Sequence, residues 1–221
     1  MTGRRTVRGP VPVLLAALAL AGCSSGSGGD GTEAARATGS AEAGSGAKTA
    51  AKGGAVGGAG SGCELPVVFD LAEHWRAEAV EPVGPDSEPA GPAELSELST
   101  QGPVSMVCEI DAKPAGHLGF LRVWQGGAGA GTPRRALEGF VKADENASKV
   151  TYTQAADGKP AVTEVSYTLH SKLMDESRPA RAFAVATPRG PVVVHLGGLD
   201  AQEHRAMLPA YELAKRTVRL R

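Results

Sequence analysis

The two Trp, three Tyr and four Phe of this 221-residue chain all lie between Phe69 and Tyr211. Aromatic side chains supply much of the apolar area that a core buries. The first third of the chain therefore lacks the material for a conventional core, and whatever folds must fold downstream. Residues 63–221 are long enough for one well-buried domain. A formal net charge of −1 gives no electrostatic case for a nucleic-acid partner. No apolar run reaches the roughly 18 residues that a membrane-spanning helix needs.

The N-terminus has the layout of an export signal. Arg4, Arg5 and Arg8 form a positive segment, and Val11 to Ala21 form an apolar one that is too short for a membrane helix. Arg4-Arg5 also raises twin-arginine export, but Thr6 and Val7 stand where bulky residues would follow. Leu20-Ala21-Gly22-Cys23 then resembles the lipobox of exported bacterial lipoproteins. That resemblance implies cleavage before Cys23 and a diacylglycerol on its thiol, making Cys23 a membrane anchor on the extracytoplasmic face of the cell membrane. One acyl chain holds a protein marginally, and two hold it stably. Residues 1–22 would carry off three of the 23 basic side chains and none of the 24 acidic ones. The remainder is mildly acidic, with no charge-driven attraction to anionic lipid.

Residues 24–62 are Gly, Ala and Ser with scattered charges, and Val56 is the one large aliphatic among them. Such composition cannot repay its ordering entropy. Residues 23–62 thus read as an acylated cysteine and a disordered tether, of about 35 Å r.m.s. span. Cys63 and Cys108 are the remaining thiols. In an exported chain this pair reads as a disulfide, with two buried free thiols as the alternative. No Cys-His signature supports a catalytic cysteine.

Within residues 63–221, strands are expected at Leu65–Asp70, Arg76–Val80, Val104–Asp111, Leu118–Gln125, Lys149–Gln154, Val165–Leu169, Arg181–Thr187 and Val192–Leu196, from alternation and turn chemistry. Residues 81–103 read as an acidic, Pro-rich loop, and Ala155-Ala156-Asp157-Gly158 as a turn. Thr132 caps a helix whose first residue is Pro133, with Leu137, Phe140 and Val141 facing the core and an end near Ala147. Asp200 and Glu203 have capping-box spacing and open a C-terminal helix, with a kink or restart expected at Pro209. Lys215, Arg216, Arg219 and Arg221 read as helix-end cations. The order predicts an α+β domain: a mostly antiparallel sheet with two main helices.

Val68-Phe69-Asp70-Leu71-Ala72-Glu73-His74-Trp75, the helix Arg134–Val141 and the ending Thr217-Val218-Arg219-Leu220 resemble actinobacterial lipoproteins of the Mog1/PsbP-like, LpqN-type group over about residues 65–221. The resemblance implies a Mog1/PsbP-like fold. It also implies a domain that binds or assists other proteins and has no shared catalytic set.

The chemistry-bearing residues give little else. His195, Asp200, Glu203 and His204 contain two histidines and two carboxylates, as a zinc site would. The spacing is not H-E-x-x-H, and the two histidines fall on different elements. His170 near Asp175 and Glu176 has the makings of a general base, but reads better as an edge residue, and His117 as a surface residue. Trp75 and Trp124 suit sugar stacking or core anchoring, and the core is favoured. No nucleophile elbow or phosphate loop occurs. The expectation is therefore a non-enzymatic, lipid-anchored domain with no cofactor and no metal, working through a protein partner or in envelope assembly. A small-ligand carrier is the alternative, and a metal-dependent hydrolase using His195, Asp200 and His204 the less favoured one.

Overall fold

A computed structural model describes residues 48–80, 99–155 and 160–221, all within the unit Ser45–Arg221. The signal segment, Cys23, most of the acidic loop and most of the 155–158 turn lie outside the described residues.

Eleven strands and two α-helices alternate along the described chain: β1 (Lys52–Val56), β2 (Val67–Ala72), β3 (Arg76–Ala79), β4 (Thr100–Gln101), β5 (Val104–Asp111), β6 (Gly119–Gly126), α1 (Pro133–Lys142), β7 (Ala147–Ala155), β8 (Val162–Ser171), β9 (Glu176–Val185), β10 (Val192–Gly198), α2 (Ala201–Thr217) and β11 (Arg219–Leu220). The main sheet runs β3-β5-β6-β10-β9-β8-β7, with β4 on β5, and a small sheet runs β1-β2-β11. All pairings between these strands are antiparallel. This is the α+β architecture the sequence predicts.

Each helix covers a different face of the main sheet. Leu137, Phe140 and Val141 of α1 pack with Trp124, Val165, Tyr167 and Val193. Met207, Tyr211 and Ala214 of α2 pack on the other face with Leu121, Val123, Phe183, Val194 and Leu196, a core shared with Val67 and Phe69 of the small sheet. The strict alternation in β10, Val192, Val194 and Leu196 one way and Val193 and His195 the other, is what a strand covered on both faces requires. Trp75 and Trp124 are buried, which makes both core anchors. Cys63 and Cys108 are disulfide-bonded.

Four local expectations are corrected. First, the fold begins before Cys63: Lys52–Val56 pairs with β2, Lys52 opposite Ala72 and Val56 opposite Phe69. Glycine is needed there for close backbone approach. A Cβ on Gly53 would lie 2.5 Å from Glu73 Cα. One on Gly57, at φ +98°, would lie 1.9 Å from the Val67 carbonyl oxygen. Glycine is required at these two positions, while Gly54 between them has open space. Second, α1 ends at Lys142 and Ala147 already opens β7. Its start is as expected, with Thr132 Oγ1 accepting from Arg135 N. Third, the Asp200 carboxylate accepts from Gln202 N and Glu203 N at 2.8 Å each. Glu203 does not reciprocate: it accepts from Leu118 N instead. Fourth, of the kink or restart expected at Pro209 the restart does not occur: α2 runs from Ala201 to Thr217 with Pro209 inside it.

The C-terminal cations are also committed differently. Lys215 Nζ lies 2.9 Å from both Glu164 and Glu212, and Arg221 pairs with Glu64 at 3.3 Å. Tyr211 donates to Glu164 at 2.9 Å, closing a polar network around the buried Glu212.

Candidate functional site

Helix α1 has ten residues and so spans about 15 Å at 1.5 Å per residue. Strands β8 and β9 also have ten residues each, but extend about 33 Å at 3.3 Å per residue. The helix is therefore about half as long as the strands it packs on. On the same face of the sheet, lined by Arg122, Arg178 and His195, lies an open cleft of about 1030 Å³.

The floor of the cleft is set by strand register. Phe120 and Arg122 of β6 stand opposite Gly197 and His195 of β10. Arg178 of β9 comes from the next strand, in phase with Ala180 and Ala182. Gly197 contributes no side chain, and a Cβ there would meet only His195, at 3.7 Å or more. The rim comes from loops at the same end of the sheet. Leu118 precedes β6, Met174 sits in the β8–β9 turn, and Leu199 lies between β10 and α2. These three are 51%, 54% and 55% exposed, and Leu173 beside Met174 is 96% exposed. Only two other large apolar side chains among the described residues are exposed, Val150 and Leu220. Scattered exposed leucines are ordinary, but a cluster around one concavity marks an interaction site.

His195 lies between α1 and the cleft. Its ring centroid is 5.4 Å from that of Phe140 and 6.4 Å from that of Tyr167. The residue is 8% exposed, and its Nε2 is buried with no hydrogen-bond partner. Burial, reinforced by Arg122 and Arg178, pushes its pKa down to about 3, so the ring is neutral at ordinary pH. His204 projects from α2, is buried, and is lowered to about 4, mainly by burial and then by Arg181.

His195, Asp200 and His204 do not come together as a metal-ligand set among the described residues. His195 packs among the residues under α1, while His204 sits on α2 beyond the β10 backbone at Gly198. Asp200 is occupied as a helix cap. No group of three or more possible metal ligands occurs among the described residues. His170 is half-exposed, 3.4 Å from Ser177 Oγ and 3.7 Å from Asp175. His117 lies 3.5 Å from Glu203. Of the sequence candidates, His195, Asp175, Glu176 and Asp200 reach the cleft. Sequence reasoning missed Arg122, Arg178, Gly197 and the apolar rim. The signals were present in the mismatch between a short helix and long strands, and in Leu173, Met174 and Leu199 standing in turns.

The two depressed histidines make stability depend on pH in a defined direction. The unfolded chain takes up their protons near pH 6.5, while the fold refuses them until about pH 4 and pH 3. Stability is fully present above pH 6.5 and falls as the pH drops through this window, by up to about 1.4 kcal/mol per unit for each histidine. Urea midpoints between pH 7.5 and 5 should show the decline, and His204→Leu should flatten it. A midpoint constant over that range would refute this assignment.

An antiparallel sheet with a helix on each face, and an apolar-rimmed cleft on one of them, defines an α+β domain with an open concavity. Among the described residues no helix is long and apolar enough to cross a membrane. A protein family described as an uncharacterised lipoprotein matches residues 33–218, and the chain belongs to that family. No curated protein matches it.

Proposed function

We propose that this lipoprotein is a non-enzymatic binding domain, held by lipid on Cys23 at the extracytoplasmic face of the cell membrane, and that it captures its ligand in the cleft above β6, β10 and β9. The observation that carries the reading is that three of the exposed apolar side chains, Leu118, Met174 and Leu199, line that cleft. Solvated apolar area of this kind is stabilised when a ligand covers it. The lipoprotein family and the lipobox-like segment at Cys23 support the anchor. The cleft favours a ligand carrier over a purely protein-directed role, because a concave floor with charged groups suits a small molecule.

The test is native mass spectrometry of the full chain extracted from its own membranes, compared with Gly197→Val. Valine suits a strand, and its Cβ is accommodated while its methyl groups fill the floor. The wild-type protein should carry added mass that the variant lacks. Cys23→Ser should move the chain out of the membrane fraction. Added mass retained by Gly197→Val, or captured material released in altered chemical form, would overturn the reading.

A further inference from the structure

We propose that the cleft takes an anionic amphiphile, its carboxylate or phosphate over Arg178 and Arg122 and its acyl chain against Leu118, Met174 and Leu199. This rests on the cleft being the binding site and names the class of ligand.

The cations lie at the floor and are held in place. Arg178 donates through one Nη to the Gly198 carbonyl at 2.7 Å. It has no carboxylate partner among the described residues. A guanidinium so fixed keeps further N–H donors for an acid group. Arg122 donates through Nε to Glu109 at 2.7 Å and lies 4.9 Å from the Phe120 ring centroid, which leaves its terminal nitrogens for a ligand. His195, opposite Arg122 in register, adds a buried imidazole with an unpartnered nitrogen.

The acidic groups of the cleft are engaged or peripheral. Asp200 caps α2. Asp175 stands at the turn near His170. Glu176 is exposed, two residues outward from Arg178. A bare anion would account for the floor and not for three half-exposed apolar side chains on the rim. A plain hydrocarbon would account for the rim and not for a guanidinium without a carboxylate. At about 1030 Å³ the space lies at the upper end of ligand sites, which run to about 1,000 Å³. It has room for a head group and a chain together.

The experiment is photolabelling of the full chain in its own membrane with a diazirine-bearing dodecanoate, with labelled peptides read by mass spectrometry. Label should fall on residues 118–122, 171–178 and 197–202. Dodecanoate should compete, and dodecyl maltoside, with the same chain and no charge, should compete at least about tenfold less well. Arg178→Gln should reduce labelling about tenfold, and Arg178→Lys should retain most of it. Arg122→Gln serves as a second charge-removal variant, with melting curves confirming that each folds. Equal competition by dodecyl maltoside, or labelling unchanged in both charge-removal variants, overturns the anionic head. Absence of cleft labelling in the wild-type chain overturns the amphiphile. None of these results alters the comparison with Gly197→Val, so the two readings fail separately. Photoreactive phosphatidylglycerol and phosphatidylcholine in vesicles identify the source. Cleft labelling by phosphatidylglycerol assigns a membrane phospholipid, labelling by dodecanoate alone assigns a free acid, and equal labelling by phosphatidylcholine overturns the proposal.

Discussion

Reducing the Cys63–Cys108 bond should lower the unfolding free energy by about 4 kcal/mol, the loop-closure entropy of a crosslink of this span in the chain-entropy model. The two cysteines are 45 residues apart in sequence, and both are buried. Cys63 precedes β2 of the small sheet, and Cys108 lies within β5 of the main sheet. The bond therefore adds a covalent link between two sheets that the chain already connects through residues 73–75, between β2 and β3. In the unfolded chain it closes a loop that includes residues 81–98, a long segment whose freedom would otherwise add to the disorder of that state. For a domain of this size the change corresponds to a fall in Tm of about 8–16 °C. Urea titrations with and without reductant, read by tryptophan fluorescence, measure it directly. The Cys63→Ala/Cys108→Ala double variant repeats the test without reductant. Equal midpoints for the oxidised and reduced protein would show that the bond contributes nothing.

Lys215→Met should destabilise the domain by about 3 kcal/mol, or about 6–12 °C in Tm. Lys215 is the shared cation of Glu164 and Glu212, at 2.9 Å from each, and Glu212 is buried. Removing one partner of a buried pair leaves a charge without compensation, which typically costs about 3–5 kcal/mol. The lower end applies because Arg181 and Arg216 remain 3.8 Å from Glu212. Tyr211, whose hydroxyl donates to Glu164, has its pKa raised well above the usual value, first by burial and then by that carboxylate. It stays a donor throughout the accessible pH range. Adding Glu212→Gln to Lys215→Met should recover part of the loss, because the orphaned charge goes with it. A double-mutant cycle between positions 212 and 215 that gives no coupling would refute this account.

Much of the fold was legible because its elements follow local rules. Val104–Asp111 alternates and is β5 to the residue. Thr132-Pro133 is a helix start in one dipeptide. Val165, Tyr167 and Leu169 point one way because a strand has a period of two. Apart from the early end of α1, the failures share a cause: each depended on a distant chain segment. β1 could not be seen because Gly53 within it and Gly57 just after it answer to the Glu73 and Val67 backbones, not to any pattern of their own. Glu203 has a capping-box position, yet Leu118, which lies 85 residues away, claims its carboxylate. Pro209 suggested a break, but two sheets hold α2 on its packed side and the helix continues. The cleft was the least legible feature. Its residues come from β6, β9, β10 and three turns, and only the cross-strand register places Arg122, His195 and Arg178 together.

A pull transmitted along the chain toward Lys52 meets the Ala50 N–Pro209 O hydrogen bond and then β1. This strand has five residues, pairs along one side with β2, and is pinned near its start by the Lys52–Asp70 contact at 3.0 Å. Such a strand can peel away one residue at a time, a weak and reversible mode of yielding. The peeling has a limit, because seven residues after Val56 the chain reaches Cys63 and is bonded to the centre of β5. Beyond that point tension passes into the main sheet through a covalent link, bypassing the hydrogen bonds of the small one. β1 and the disulfide thus work in series as a compliant element and a hard stop: extension short of Cys63 is taken up within the small sheet, and load beyond it enters the main sheet at β5.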